Sequence, residues 1–246
     1  MPSLAHYRHR MTEPGRLLAS GRDGDIFEYG PRLVLRRTKT TRSLDGEARV
    51  LEYVAAHGFP VPAVEELRAN GTELVMERID GPLLIEMAAR PWTSARAMHM
   101  LADLHDRLHA IAAPEWLPPF PTTSAAGTDR VLHLDLHPEN VVVSPERGPV
   151  VIDWTNARRG DPCCDVALTF ALMMCGRMPG PTWLSQLLQP LRQFVVGRPF
   201  LSRYDPAQIW PCIAEMAALK TFDRNMHGDE IHALQRLATS AKGHTS

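Results

Sequence analysis

Apolar and polar positions follow two different periods along the chain, and the change of period divides it. Between Leu17 and Ile79 the apolar residues come in short runs broken by turn residues, the texture of an antiparallel sheet. Leu17-Leu18-Ala19, Ile26-Phe27 and Leu33-Val34-Leu35 are separated by a Gly/Ser/Asp turn at Ser20 to Gly24 and by Gly30-Pro31, which predicts a three-stranded meander. Asp45 to His57 switches to helical spacing, with Val50, Leu51 and Val54 on one face and Gly58 as the stop. Phe59-Pro60-Val61-Pro62 reads as a rigid extended link. Two more strands, Ala63 to Arg68 and Thr72 to Ile79, flank the turn residues Asn70-Gly71. Five strands and one helix thus complete a small unit over residues 1–80, after a polar lead-in that ends near residue 17.

From Leu83 to the end of residues 81–246 the texture is helical. Ser94 is placed to cap a run to Ile111 that carries Ala97, Met98, Leu101, Leu104 and Leu108 on one face. A Pro/Ser/Thr-rich loop, Pro114 to Gly127, follows. Val141 to Val143 and Val150 to Ile152 flank a turn from Ser144 to Pro149, the pattern of a hairpin. Asp161-Pro162-Cys163-Cys164-Asp165 reads as the cap of a helix from Val166 to Cys175, with Asp165 as N-cap or first-turn acid. Further helices are predicted over Pro181 to Val196, Pro206 to Asn225 and Asp229 to Ala241. The expected fold class is α+β, a small antiparallel β unit with one helix followed by a mainly helical unit.

The hairpin also organises the candidate chemistry. It should bring its far ends together, and those ends carry Asn140 and Asp153, oxygen ligands suited to Mg²⁺ shared with substrate phosphates. Asp135 lies five residues before Asn140, on a loop able to face the same point.

Three motifs carry a resemblance. His133-x-Asp135-x-x-x-x-Asn140, Ile152-Asp153-Trp154 and Gly160-Asp161-Pro162-x-x-Asp165-x-Ala167 resemble the aminoglycoside phosphotransferase and choline kinase group, the small-molecule branch of the bilobal protein-kinase-like fold. The resemblance implies that Asp135 orients the acceptor hydroxyl and that Asn140 and Asp153 hold Mg²⁺. It gives His133 and Asp165 supporting roles in the loop. Ala19-x-Gly21-x-x-Gly24-x-Ile26 resembles a glycine-rich phosphate loop without its first glycine, with Ser20, Gly21, Gly24 and Ile26 as nucleotide contacts. Arg36 stands where the group carries a phosphate-gripping Lys, with Lys39 as fallback, and Glu47 is its helix partner. Met76, Glu77 and Ile79 fall at the hinge that would meet the base. The implied ligands are ATP or GTP, Mg²⁺ and a small-molecule hydroxyl acceptor. A protein kinase fits less well, since no D-F-G or A-P-E segment is present and only seven residues separate Asp153 from Asp161.

Composition narrows the partners. A net charge of −1 gives no ground for nucleic acid or an anionic membrane. The N-terminus has no hydrophobic signal core, and the longest apolar run falls short of the roughly 20 residues of a membrane span. Cys163, Cys164, Cys175 and Cys212 form no C-x-x-C pair and sit beside apolar residues, which points to buried free thiols, a reducing compartment and a cytoplasmic location. His105 and His109 stand i,i+4 but lack the acid of an H-E-x-x-H arrangement, so they read as partly exposed structural histidines. From Pro181 onward five acids face seven bases, which weakens the case for a polycationic acceptor. The Arg at position 36 and the missing glycine leave a second reading, a nucleotide-binding protein with weak or no catalysis.

Overall fold

The computed structural model describes residues 13–21, 23–121, 129–176, 191–223 and 226–244. The chain forms two compact units: residues 1–81 with 144–155, and residues 82–143 with 156–246. Ser144 to Thr155, and Asp153 with it, belongs to the first unit.

The first unit is a five-stranded antiparallel sheet in the order β1-β2-β3-β5-β4, built from β1 (Leu17–Ser20), β2 (Gly24–Glu28), β3 (Leu33–Thr38), β4 (Val64–Arg68) and β5 (Glu73–Glu77). Central β3 pairs Arg36 with Ile26 on one side and with Leu74 on the other. The β4–β5 connection is a short 3-10 turn, Ala69–Gly71, rather than a two-residue hairpin. All three of its residues take positive φ, and Gly71 closes it against Ser43. Helix α1 (Asp45–Ala56) buries Ala48, Val50, Leu51 and Val54, the stripe its spacing predicts. The later segment joins this core physically. Val151 N–H donates to Pro60 O at 2.9 Å, Arg147 bonds Val61 O at 3.1 Å, and buried Trp154 meets Phe59 edge to face at 5.7 Å.

The second unit is mostly helical: α2 (Leu84–Ala88), α3 (Pro91–His109), α4 (Pro162–Cys175), α5 (Arg198–Leu201), α6 (Pro206–Lys220) and α7 (Gly228–Gly243). A short antiparallel pair, β6 (Arg130–Leu132) and β9 (Arg158–Gly160), frames the loop that follows β6. The hairpin of β7 (Val141–Ser144) and β8 (Gly148–Val151) carries the chain from the second unit into the first. Helix α4 is apolar almost all round and buried almost all round, as a central helix must be.

Several expectations are corrected. Ser94 does not cap α3. Pro91 occupies the first turn, Arg90 precedes it, and Ser94 is buried within the helix with Oγ donating to Val195 O at 2.9 Å. The helix expected to end at Val196 runs on through a π-helical stretch, Gln193–Gly197, into α5, while its first part, 181–190, lies outside the described residues. Helix α6 stops at Lys220, short of Asn225. The four cysteines are not all free thiols. Cys163 is disulfide-bonded to Cys212 on α6 with Cα atoms 6.0 Å apart, while Cys164 and Cys175 are free and buried. Neighbours on a helix point about 100° apart, so Cys164 turns inward while Cys163 reaches the next helix. The expectation of a reducing compartment rested on four free thiols and loses that support. Among the described residues no helix is long and apolar enough to cross a membrane.

Candidate active site

In the first unit, the candidate residues gather around Arg36. Its side chain is 8% exposed, and its guanidinium is held by three groups. Nη1 lies 3.4 Å from Glu47 Oε1 and 3.3 Å from Asp153 Oδ1, and Nη2 donates to Thr155 Oγ1 at 2.7 Å. Thr155 Oγ1 in turn lies 2.9 Å from Asp153 Oδ1 and 3.3 Å from Glu47 Oε2. Alternation along β3 turns Arg36 to the face that α1 covers, and the first-turn position of Glu47 presents its carboxylate there. Burial pushes the Glu47 carboxyl up, with Arg36 pulling the other way. Asp153 differs, because its side chain is 42% exposed while Oδ1 is held. Its φ of 61° is left-handed, uncommon for a residue with a Cβ, and buried Trp154 anchors the backbone beside it through Nε1 to Val151 O at 3.2 Å.

The phosphate-loop candidates lie in the β1–β2 turn. Gly21 N–H bonds Gly24 O at 2.9 Å. A Cβ on Gly24 would fall 2.7 Å from Arg37 O, so the close approach of β3 demands glycine there. Lys39 is occupied in this turn. Its Nζ contacts Ser20 Oγ at 2.7 Å, Gly21 O at 2.8 Å and Asp25 Oδ1 at 2.8 Å, so Arg36 is the cation that meets Glu47. Ile26 pairs with Arg36 across β2 and β3. Arg22 lies outside the described residues. Of the hinge candidates, Met76 and Glu77 end β5. Glu77 N–H donates to Ala63 O at 2.8 Å, and its carboxylate takes Ala63 N–H at 3.1 Å and an Arg147 guanidinium. Among the described residues Ile79 makes no backbone–backbone hydrogen bond.

In the second unit, the loop from His133 to Asn140 is tied from below by Asp165 on α4. This fully buried carboxylate accepts Leu134 N–H on Oδ1 at 2.7 Å. On Oδ2 it accepts His133 N–H at 2.9 Å and His109 Nε2 at 3.0 Å. Burial alone would raise the Asp165 carboxyl, but the His109 hydrogen bond and the neighbouring imidazoles hold it well below the usual carboxylate range. Leu134 takes a left-handed φ of 62°, which costs about 1–2 kcal/mol and which the two backbone bonds to Asp165 offset. Thr169 adds a further tie, donating to Leu136 O at 2.9 Å. His133 is buried and accepts Asp135 N–H on Nδ1 at 3.2 Å, which fits loop support.

Asp135 itself is partly exposed, with Oδ1 3.5 Å from His137 Nε2. Asn140 gives its amide NH₂ to Asp135 O at 2.8 Å and to Asp135 Oδ2 at 3.3 Å, which leaves its carbonyl oxygen as a ligand for a hard cation. The Asn140 carbonyl and, in the first unit, the Asp153 carboxylate are each oxygen donors of the kind that Mg²⁺ takes.

Two features lay beyond the sequence reading. Thr155 follows Asp153 by two residues, but its link to Arg36 and Glu47 depends on pairings more than 100 residues apart in sequence. His105 and His109 are not partly exposed: their side chains are 0% and 9% exposed, and both face Asp165.

Comparison with known proteins gives a family and a fold. The model of the APH phosphotransferase enzyme family matches residues 15–130 and 102–200. The structure of a choline/ethanolamine kinase family protein from Mesorhizobium loti is 17% identical, with a TM-score of 0.60, over 97% of this chain and 90% of that one. An aminoglycoside phosphotransferase APH(4)-Ia, solved as a ternary complex with AMP-PNP and hygromycin B, is 15% identical, with a TM-score of 0.63, over 99% and 97%. At such identities these structures establish the fold, the protein-kinase-like α+β class expected from the sequence. A putative cyclin-dependent kinase F-2 from Oryza sativa subsp. japonica is 30% identical over 133 residues, 50% of this chain, and the matched region spans about a third (34%) of that relative's length.

Proposed function

The chain belongs to the phosphotransferase enzyme family, and on that premise we propose that it transfers the terminal phosphoryl group of ATP or GTP to a hydroxyl of a small molecule. The observation that carries this reading is the buried Arg36, fixed by Glu47 and Thr155 and in contact with the half-exposed Asp153. A permanent cation held rigidly beside a carboxylate able to take a metal is the equipment of phosphoryl transfer, which runs on positioning and electrostatics.

Each residue has an assigned part. Arg36, oriented by Glu47, neutralises phosphate charge. Ser20, Gly21, Gly24 and Ile26 form the cover over the phosphates, and Met76, Glu77 and Ile79 line the base site, with the backbone of Ile79 meeting the base edge. Asn140 and Asp153 are the residues that hold Mg²⁺, which when bound supplies charge neutralisation between donor phosphates. Asp135 accepts or orients the acceptor hydroxyl. His133 and Asp165 hold the backbone from which Asp135 projects. The acceptor belongs to the hydroxyl-bearing aminoglycosides, sugars or amino alcohols, the classes to which hygromycin B and choline belong. The basic balance beyond Pro181 favours a less cationic member of that set.

The test is thermal stability with ATP and with GTP, with and without Mg²⁺, on the wild type and Asp153→Ala. A nucleotide at 100 times its dissociation constant adds about 2.7 kcal/mol. A Mg²⁺-dependent shift that disappears in Asp153→Ala supports the assignment, and acceptor turnover that disappears in Asp135→Ala completes it. No shift with either nucleotide at millimolar concentration would overturn it. Nucleotide binding without turnover would favour the second reading, a binding protein whose Arg36 and Ala19 mark departures from the active pattern.

A further inference from the structure

Beneath the loop that carries Asp135 lies a group of metal-ligating side chains, of which the proposed reaction uses Asp165 alone, as a support for that loop. His105 and His109 stand one turn apart on α3, and Asp165 faces them from the first turn of α4. One ligand atom from each falls within 4.8 Å of the others. His109 Nε2 lies 3.0 Å from Asp165 Oδ2, and His105 Nδ1 lies 3.8 Å from the same oxygen. The His105 side chain is 0% exposed, and neither ring nitrogen has a partner in good hydrogen-bond geometry, the Leu136 backbone being the nearest acceptor that acts on it. Burying two such atoms unsatisfied is costly, and native interiors rarely tolerate it.

A divalent ion bound at Nδ1, the nitrogen that faces Asp165, would give one of those two atoms a partner. Zinc bound at about 2.0–2.1 Å to imidazole nitrogen sets the ligand atoms of a tetrahedral site about 3.3–3.4 Å apart. The observed 3.0 and 3.8 Å separations bracket that value. Two imidazoles and one carboxylate form the donor set of borderline first-row ions, whereas Mg²⁺ prefers oxygen ligands. Such a set leaves a fourth position for water. The partners beyond the first ligands are already in place, because Leu134 N–H occupies Asp165 Oδ1 and His133 N–H approaches Oδ2, which orients the carboxylate.

We propose that His105, His109 and Asp165 bind a zinc-class divalent ion that pins Asp165, and through it the backbone at His133 and Leu134. The site lies wholly within the second unit and shares with the phosphotransferase reading only the support that Asp165 gives to the loop. Either can fail without the other.

The full chain, stripped with chelator, is titrated with Co²⁺ and then Zn²⁺ in millimolar Mg²⁺, in an Asp153→Ala background so that the proposed nucleotide-metal site is silent. The expected result is one equivalent of Co²⁺ with visible ligand-field bands, displaced by Zn²⁺. Thermal stability should rise on Zn²⁺ addition. His105→Leu and His109→Leu, each checked for folding by circular dichroism, should lose affinity by more than the about 10–100-fold that loss of an outer partner costs. X-ray absorption of the zinc-loaded unsubstituted chain should show imidazole nitrogen and oxygen without sulfur, an arm that does not depend on the variants folding. No binding by the folded chain at 100 μM metal, binding unchanged in both variants, or a sulfur ligand would each overturn the proposal.

Discussion

Asp165→Asn keeps the shape of a fully buried side chain and removes its charge. The carboxylate serves three donors, Leu134 N–H on Oδ1 and both His133 N–H and His109 Nε2 on Oδ2. An Asn carbonyl can serve only one side of that arrangement. Whichever way the amide turns, its NH₂ faces a backbone N–H. With the carbonyl kept on the Oδ2 side, one charge-assisted bond, that to Leu134, is lost at about 1.5–3 kcal/mol, and the buried N–H left unsatisfied costs about 1–3 kcal/mol more, roughly 2.5–6 kcal/mol together. Relief from burying a charge offsets part of this, so a value near the lower end, about 3 kcal/mol, is expected. A domain of this size holds about 5–15 kcal/mol in total, so the variant remains folded at pH 7 but less stable. Urea unfolding should show a lower midpoint at unchanged slope, and amide exchange at His133 and Leu134 should accelerate. Because Asp135 follows Leu134 directly, kcat should fall by as much as about 100-fold, the cost of a misplacement near 1 Å. A stability loss below about 1 kcal/mol with unchanged exchange would refute the view that Asp165 holds this loop. The charge also sets an acid limit. The carboxyl is held below its ordinary 3.8, so the unfolded chain takes up the proton first, and this contribution, present above about pH 4, is lost as pH falls further.

Three further outcomes follow from the geometry. Burial pushes His105 down from 6.5 to about 3, against the pull of Asp165, so between those values the unfolded chain binds the proton and the folded chain does not. In chelator, wild-type stability should fall with acidification by as much as about 1.4 kcal/mol per pH unit below pH 6.5, and equal slopes in wild type and His105→Leu would count against this. Thr155→Val removes the hydroxyl shared by Arg36, Glu47 and Asp153 and should cost about 1–3 kcal/mol in urea unfolding. An effect under about 0.5 kcal/mol would show that the guanidinium does not rely on it. Reduction, or Cys163→Ser, opens a cross-link spanning 49 residues and should lower stability by about 2–4 kcal/mol, whereas Cys175→Ser should leave the response to reductant intact. An unchanged urea midpoint on reduction would contradict it.

What the sequence disclosed and what it hid follow one physical division. Local periodicity and turn chemistry report on neighbours in the chain. The five strands, the stripe Val50, Leu51 and Val54 on α1, and the apolar α4 were all legible, because each depends on positions a few residues apart. Pairings across long separations leave no local trace. Cys163 next to Cys164 reads as two buried thiols, and only the arrival of α6 makes one of them half of a disulfide. His105 and His109 have no Glu between them on their own helix in the H-E-x-x-H manner. The acid that faces them is Asp165, 56 residues beyond His109. Ser94 looked like a cap because caps are the commonest use of serine before a helical run, yet Pro91 had already begun the helix.

Arg36 shows how a departure in sequence can be matched in structure. Read alone, an Arg where the related group carries Lys counts against activity. In the folded chain Nη1 faces Glu47 and Asp153 while Nη2 meets Thr155. A guanidinium can present two separate N–H edges at once because its donors are fixed in a plane, whereas an ammonium gathers all three donors at one point. The Thr155 hydroxyl gives the second edge a partner, and Glu47 offers its two oxygens to Arg36 and Thr155 respectively. The Arg and the Thr therefore explain one another, and both terminal nitrogens of the buried guanidinium are met, while Nε has no hydrogen-bond partner. Substituting Lys would restore the familiar residue while leaving Thr155 and one face of the pocket without the donor they are arranged around. The departure at position 36 is thus part of a self-consistent set, and it gives no independent reason to read the chain as inactive.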